Sequence, residues 1–82
     1  MRIIDQTATG EHFKELRQSQ GLTLTQLAQL VGVTIQAVVK WERGYRCPDI
    51  NNLIILADIY RMSIDDMIVK VEVDYEPSNE YR

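Results

Sequence analysis

The chain has 82 residues, of which 45% are hydrophobic and 26% are charged, and its net charge at pH 7 is −3. This length and composition predict one small folded domain and exclude a disordered chain. The sequence has no apolar run of membrane-spanning length, no signal-peptide pattern at its start and a single cysteine, Cys47, so we expect a cytoplasmic protein without an internal disulfide.

The negative charge is concentrated at one end of the chain. Residues 71–82 hold four acidic residues against one arginine, so the first seventy residues sum to zero. Within residues 34–46, three cations face one carboxylate, a local charge of +2. A surface that binds nucleic acid needs local rather than overall positive charge, so the acidic balance does not exclude that function.

The start of the chain is predicted to be an arm followed by a helix. Residues 1–9 form the arm, with a β-prone segment and then a polar loop. Thr9 is expected to cap a first helix over about residues 10–20. His12 on this helix has no second ligand at metal-binding spacing, so we predict no metal site and no cofactor.

Residues 23–44 have the pattern of two short helices joined by a tight turn. Apolar residues recur at helical spacing after Thr23, and Thr23 with Gln26 fits a capping box. Gly32 suits the left-handed position that ends a helix, and Thr34 suits the cap of the next one.

The second of these helices is predicted to have one packed face and one polar face. Val38 marks the packed face, with Ile35, Trp41 and Glu42 near it. The opposite face carries side chains that can read base edges in a DNA major groove, since Gln pairs with adenine, Lys or Arg with guanine, and a small apolar group touches a thymine methyl. The predicted base contacts are Gln36, Ala37, Lys40 and Arg43, beside Val39, and the predicted DNA backbone contacts are Thr23, Thr34, Tyr45 and Arg46.

Two further helices are expected after a loop. Pro48 followed by Asp49 predicts the start of a fourth helix, whose wide apolar arc predicts the central helix of the core. Ser63 is the expected cap of a fifth helix that buries Met67 and Ile68.

The tail changes to a period of two. From Val69 to Glu76 apolar and polar residues alternate, which is typical of a half-buried strand. Such a strand needs a partner, either the Ile3–Ile4 segment or the same strand of a second chain. A frayed acidic tail is the remaining alternative, and we expect disorder from Pro77 onward.

These motifs together resemble the Cro/repressor-type helix-turn-helix family, the xenobiotic-response-element-like regulators of bacteria and their phages. The resemblance covers about residues 10–68 and is carried by Leu16-Arg17, Gly21-Leu22-Thr23, Leu27-Ala28, Gly32-Val33-Thr34, Trp41-Glu42-Arg43-Gly44, Pro48, and the stretch from Leu53 to Met67. It implies an all-α, compact five-helix lambda-repressor-like domain over residues 10–69, with helix 35–43 as the recognition helix. The acidic tail of residues 70–82, partly strand-like or disordered, lies outside the common core of the family. The resemblance also implies DNA-binding regulation, a homodimer, and a structural ion pair between Arg17 and Glu42.

The sequence departs from the family pattern at two positions. Leu24 stands where the family often has a glutamine that touches the DNA backbone, and Arg61 stands where it often has a glycine after the fourth helix. If the backbone at residue 61 is left-handed, an arginine there is less favourable than a glycine.

Three classes of function follow from these observations. Sequence-specific binding of double-stranded DNA is the leading hypothesis, although a polar helix face on its own is more often merely solvated. A protein-interaction module of the same fold, with a partner at the acidic tail, is the alternative, since fold does not fix function. An enzyme is not expected, because the sequence has no catalytic constellation of carboxylates, Cys and His, or phosphate-binding glycines.

Overall fold

The computed structural model describes residues 1–74. In chain order it contains strand β1 (Arg2–Ile4), helices α1 (Gln6–Ser19), α2 (Leu24–Val31), α3 (Ile35–Glu42), α4 (Ile50–Tyr60) and α5 (Ile64–Met67), and strand β2 (Lys70–Glu72). The five helices confirm the predicted all-α fold. None of the helices in this part of the chain is long and apolar enough to cross a membrane.

Helix α1 begins earlier than the sequence pattern predicts. Residues 6–9 are helical rather than a loop, and Asp5 caps the helix by accepting a 3.0 Å hydrogen bond from the backbone N–H of Ala8. Thr9 is buried, and its hydroxyl accepts from the N–H of Val69 at 3.0 Å and donates to its carbonyl at 3.2 Å. The predicted cap at Thr9 is therefore wrong, because its side chain joins α1 to the tail instead.

The helix-turn-helix has the local structure that its sequence predicts. Thr23 and Gln26 form both bonds of a capping box, at 2.9 and 3.0 Å. Gly32 ends α2 with a left-handed φ of 84°, a conformation that costs glycine little. The Thr34 hydroxyl accepts a 3.1 Å hydrogen bond from the N–H of Ala37 and so begins α3.

The caps of α4 and α5 also agree with prediction. Asp49 accepts from the N–H of Asn52 at 2.8 Å, and Ser63 accepts from the N–H of Asp66 at 3.0 Å. Between the two helices Arg61 has a φ of 54°, so it occupies the left-handed conformation in which a glycine is common. This backbone is less favourable for an arginine than for a glycine.

The core lies where all five helices meet. Its largest fully buried side chains come from four different helices, namely Leu27, Val38, Leu56 and Met67. Helix α4 is less buried than its wide apolar arc predicts, because Ile50 is 72% exposed and Ile54 is 47% exposed. The helix therefore packs one face on the core and leaves an apolar turn on the surface.

The tail strand pairs within the chain. Strands β1 and β2 are antiparallel, with Ile3 opposite Val71, which confirms the predicted pairing with the Ile3–Ile4 segment. The strand is shorter than the predicted alternation, and residues 75–82, which include the segment expected to be disordered, lie outside the described residues.

Candidate nucleic-acid interface

A buried ion pair fixes the C-terminal end of α3 against α1. The Arg17 Nε donates to Oε2 of Glu42 at 2.7 Å, and its Nη2 donates to Oε1 at 3.0 Å, so the two side chains meet as a fork. The two side chains are only 10% and 7% exposed. Hydrogen bonding to the carboxylate raises the pKa of Arg17, and the third nitrogen, Nη1, donates to the carbonyl of Leu22 at 3.0 Å. The pair thus ties α3 to α1, as the resemblance implies, and the Nη1 bond adds a contact with the turn before α2.

The backbones of α1 and α3 also approach each other closely at the end of α3 that the ion pair fixes. A Cβ placed on Gly10 in α1 would lie 2.5 Å from the carbonyl oxygen of Glu42 and 2.7 Å from that of Trp41. Only glycine fits at this position without a shift of the backbone. Helix α3 is therefore held from both its side chains and its main chain.

Tyr60 lies behind this ion pair. Burial raises the pKa of Tyr60 to about 12, the Glu42 carboxylate acts in the same direction, and the Arg17 guanidinium opposes them. The buried hydroxyl has no hydrogen-bond partner among the described residues. On its buried side, the Arg17–Glu42 pair thus faces the neutral phenol of Tyr60.

The outer face of α3 presents polar side chains to solvent. Gln36, Lys40 and Arg43 are all exposed, as the helical pattern predicts for them. Tyr45 and Arg46 follow in the next loop and are also exposed, and the N–H of Tyr45 donates to the carbonyl of Lys40 at 2.9 Å. This bond brings the loop back toward the helix, so its side chains extend the same surface.

Two grooves flank the centre of this surface. The larger one has a volume of about 410 Å³ and is lined mainly by apolar atoms of Ile35, Gln36, Val39, Lys40, Arg43 and Tyr45. The smaller one, of about 200 Å³, lies where α1, α2 and α3 meet and is lined by Lys14, Arg17, Leu24, Val39, Glu42 and Arg43. Val39 and Arg43 line both grooves and so stand at the centre of the surface.

The apolar part of this surface differs from the prediction. Ile35 was expected on the packed face, but it is 42% exposed and lines the larger groove. Ala37, predicted as a base contact, is half-buried against the core and lines neither groove. Helical periodicity gives the direction of a side chain but not how far the neighbouring helices extend. Val39, expected beside the predicted base contacts, lines both grooves, whereas Lys14 is a lining residue that the sequence pattern did not single out.

The two capping threonines lie at the edges of the surface. Thr23 and Thr34 are exposed, and each hydroxyl oxygen accepts a backbone N–H. A hydroxyl that accepts one hydrogen bond still has its own proton to donate. Both caps can therefore also contact an anion.

The electrostatics of the surface favour an anionic partner. None of the residues that line the larger groove is acidic, and Lys40 and Arg43 stand within it. The carboxylate of Glu42 in the smaller groove is neutralised by Arg17. Among residues 1–74 there is no cluster of His, Cys, Asp and Glu that could hold a metal ion.

The fold and this surface define a helix-turn-helix domain with a cationic recognition helix. The family model described as Helix-turn-helix matches residues 13–67, and the chain belongs to this family, whose members are of the Cro/C1 type. Among curated proteins, the chain is 34% identical over 64 residues to the HTH-type transcriptional regulator ImmR of Bacillus subtilis strain 168, covering 78% of this chain and 50% of ImmR. It is 33% identical over 70 residues to the HTH-type transcriptional regulator PuuR of Escherichia coli K12, covering 85% of this chain and 38% of PuuR.

Solved structures have the same fold. The restriction-modification controller protein C.AhdI of Aeromonas hydrophila matches with a TM-score of 0.70 and 30% identity, covering 77% of this chain and 96% of C.AhdI. The P22 c2 repressor, solved with a synthetic operator, matches with a TM-score of 0.69 and 29% identity, covering 72% of this chain and 89% of the repressor. The chain spans half or less of the length of ImmR and PuuR.

Proposed function

We propose that the chain is a sequence-specific transcriptional regulator that binds double-stranded DNA and reads its major groove with α3. One observation carries the proposal. Gln36, Lys40 and Arg43 are exposed on one face of a helix whose end is fixed by the buried pair of Arg17 and Glu42. A recognition helix needs both features, since base readout requires polar groups in a fixed orientation.

Some side chains of this surface contact base edges, and others contact the phosphate backbone of the DNA. Gln36 pairs with an adenine edge, and Lys40 and Arg43 pair with guanine O6 and N7. Thr23, Thr34, Tyr45 and Arg46 donate to phosphate oxygens at the edges of the surface, which sets the register of α3 in the groove without reading sequence. Ala37 has the least access to a base, since it packs against the core.

The relatives support this function. ImmR and PuuR are named as transcriptional regulators, and the P22 c2 repressor was solved with a synthetic operator. Since the chain covers at most half of those two regulators, the function is proposed for the helix-turn-helix domain that they share with it.

The proposed binding unit is a homodimer on two half-sites. A helix of eight residues reads only a few base pairs, so proteins of this kind gain specificity from two copies about one DNA turn apart. Ile50 and Ile54 are exposed one turn apart on α4 and are the candidate interface. Sedimentation of a monomer at high concentration, both with and without the duplex, would contradict the dimer.

A protein partner at the acidic tail remains a prediction from the sequence, because residues 75–82 lie outside the described residues.

The test of DNA binding is fluorescence anisotropy at physiological salt. A duplex from upstream of the protein's own gene is compared with a scrambled duplex of the same length. The wild type is run beside Gln36→Ala and Lys40→Ala, with Gln18→Ala as the matched control, because Gln18 is an exposed glutamine on α1.

The proposal predicts selective binding that weakens by about 1–3 kcal/mol in Gln36→Ala and in Lys40→Ala but not in Gln18→Ala. Affinity should also fall steeply as salt rises, because bound phosphates release counterions. If the upstream duplex gives no selectivity, selection from a random duplex pool follows. A protein that enriches no sequence from that pool is not a sequence-specific regulator.

A further inference from the structure

Strand β2 has an outer backbone edge that faces away from β1. The N–H of Val73 donates to the carbonyl of Met1 at 2.8 Å. Bonded and non-bonded positions alternate along an antiparallel pair, so the backbone groups of Val71 point inward to β1 and those of Lys70 and Glu72 point outward. Within residues 1–74, the outward groups of Lys70 and Glu72 make no hydrogen bond to the rest of the chain. Such an edge is a template for pairing with another strand.

The two-stranded sheet also leaves an apolar row on its surface. Ile3 and Val71 are paired across the two strands and share one face, where they are 43% and 41% exposed. Two strands alone are marginal in water, and three or more are usually needed for a stable sheet. A further strand beside β2 would continue the apolar row and shield it from water.

The charges on the edge select a second copy of the same strand as the partner. Lys70 and Glu72 lie two positions apart on the opposite face from Val71, one a cation and the other an anion. If two copies of β2 pair antiparallel about an axis at Val71, Lys70 of each copy stands opposite Glu72 of the other, which is a favourable cross-strand pair. The edge of β1 lacks this property, because the same arrangement would put Arg2 opposite Ile4.

Both charged side chains have bonding capacity left for a partner. The Lys70 ammonium donates to the carbonyl of Asp65 at 2.9 Å and to its carboxylate at 2.7 Å, which uses two of its three protons. Glu72 accepts from the Met1 ammonium through Oε1 at 2.6 Å, and its side chain is 70% exposed. Its Oε2 can therefore accept from a second donor.

We infer that the outer edge of β2 is a self-association surface, where two copies join as one four-stranded antiparallel sheet with Val71 on the two-fold axis. Each Lys70–Glu72 pair then exchanges backbone hydrogen bonds as well as charges. The surface uses no residue of α3 and neither Ile50 nor Ile54, so it adds a contact to those of the proposed DNA-binding dimer. Because three-residue strands bury little area, the contact is weak between free copies and strengthens where copies are already held close together.

Disulfide trapping tests the register of the paired strands. Every variant carries Cys47→Ser, because Cys47 is exposed and would form disulfides of its own. On the two-fold axis the Cα atoms at position 71 form a non-hydrogen-bonded pair about 4.5 Å apart, a distance that a disulfide spans. In a glutathione redox buffer, Val71→Cys should therefore give a disulfide-linked dimer as the main product.

Ile3→Cys is the matched control for this trapping. Ile3 is as exposed as Val71 and lies on the same face, but on the strand away from the axis. Its two copies would be three strand spacings apart, about 14 Å, which is too far for a disulfide. This variant should remain monomeric under the same conditions.

Charge exchange tests whether the partner is a second β2 strand. In the Val71→Cys background, Lys70→Glu alone or Glu72→Lys alone places like charges opposite each other at both pairs, so the fraction of linked dimer should fall about tenfold. A mixture of the two variants, one of them with a tag that changes its size on a gel, restores opposite charges at both pairs. The linked heterodimer should then return to the level of Val71→Cys. The mixture repairs no ion pair within either chain, so only a contact between copies explains the recovery.

The outcomes are independent of the proposed function, because no DNA is present. If Val71→Cys gives no more linked dimer than Ile3→Cys, the self-association surface is overturned. If the mixture recovers no heterodimer, the Lys70–Glu72 register is overturned. Both results leave the proposed DNA binding standing, and a protein that enriches no duplex would leave the self-association surface standing.

Discussion

Removing one charge from the buried ion pair should destabilise the protein strongly. Glu42→Gln keeps the shape of the side chain but leaves the Arg17 guanidinium without its carboxylate in a site where the two side chains are 10% and 7% exposed. Breaking such a pair from one side costs about 3–5 kcal/mol, because the remaining charge stays buried and uncompensated. The loss is measured as the change in free energy of unfolding from urea titrations followed by circular dichroism.

The chain contains a matched control for this prediction. Lys70 and Asp65 form an ion pair with the same 2.7 Å N–O distance, but Asp65 is 79% exposed. Lys70 lowers the pKa of Asp65, yet solvent screens the pair, so Asp65→Asn should cost far less stability than Glu42→Gln. Replacing both members of the buried pair, as Arg17→Met with Glu42→Met, should recover a large part of the loss. Equal losses for Glu42→Gln and Asp65→Asn would show that burial does not set the cost of breaking the pair.

Three further changes test the packing around α1. Gly10→Ala should cost about 1–3 kcal/mol of unfolding free energy in urea titrations, because its Cβ would meet the carbonyl of Glu42 at 2.5 Å; an unchanged midpoint would contradict that contact. Thr9→Val should speed hydrogen exchange at the Val69 amide, which loses its 3.0 Å acceptor, while unaltered exchange would show that the bond is dispensable. The pKa of Tyr60 is raised to about 12 from an ordinary 10.0. Its contribution to the free energy of unfolding is therefore complete below pH 10 and is lost as pH rises toward 12, at about 1.4 kcal/mol per pH unit. Tyr60→Phe should therefore lose less stability than the wild type between about pH 10 and about pH 12 in urea titrations, and parallel losses would contradict the burial of the phenol.

The local features of the helix-turn-helix could be predicted from the sequence. Caps at Thr23, Thr34 and Asp49 and the left-handed Gly32 depend on residues within one helical turn, so a short stretch of sequence determines them. The polar face of α3 follows from the helical period in the same way.

The features that depend on distant contacts could not be predicted in this way. Asp5 and Thr9 are both good caps, and the choice of Asp5 reflects the contact of Thr9 with Val69, sixty positions away. Ile35 and Ile50 stand at positions that helical periodicity assigns to the core, but no neighbouring helix covers them and both are exposed. The exposure of Ile35 at the start of α3 was therefore visible only in three dimensions.

The surface of the protein that meets DNA can be mapped residue by residue. Amide NMR spectra are recorded while a duplex enriched by selection is added to the protein. If α3 enters the major groove, the largest shift changes fall on residues 34–46, smaller ones fall on Thr23, and the β1–β2 sheet changes little. Changes confined to the sheet or to α4, with α3 unaffected, would contradict the claim that α3 reads the major groove.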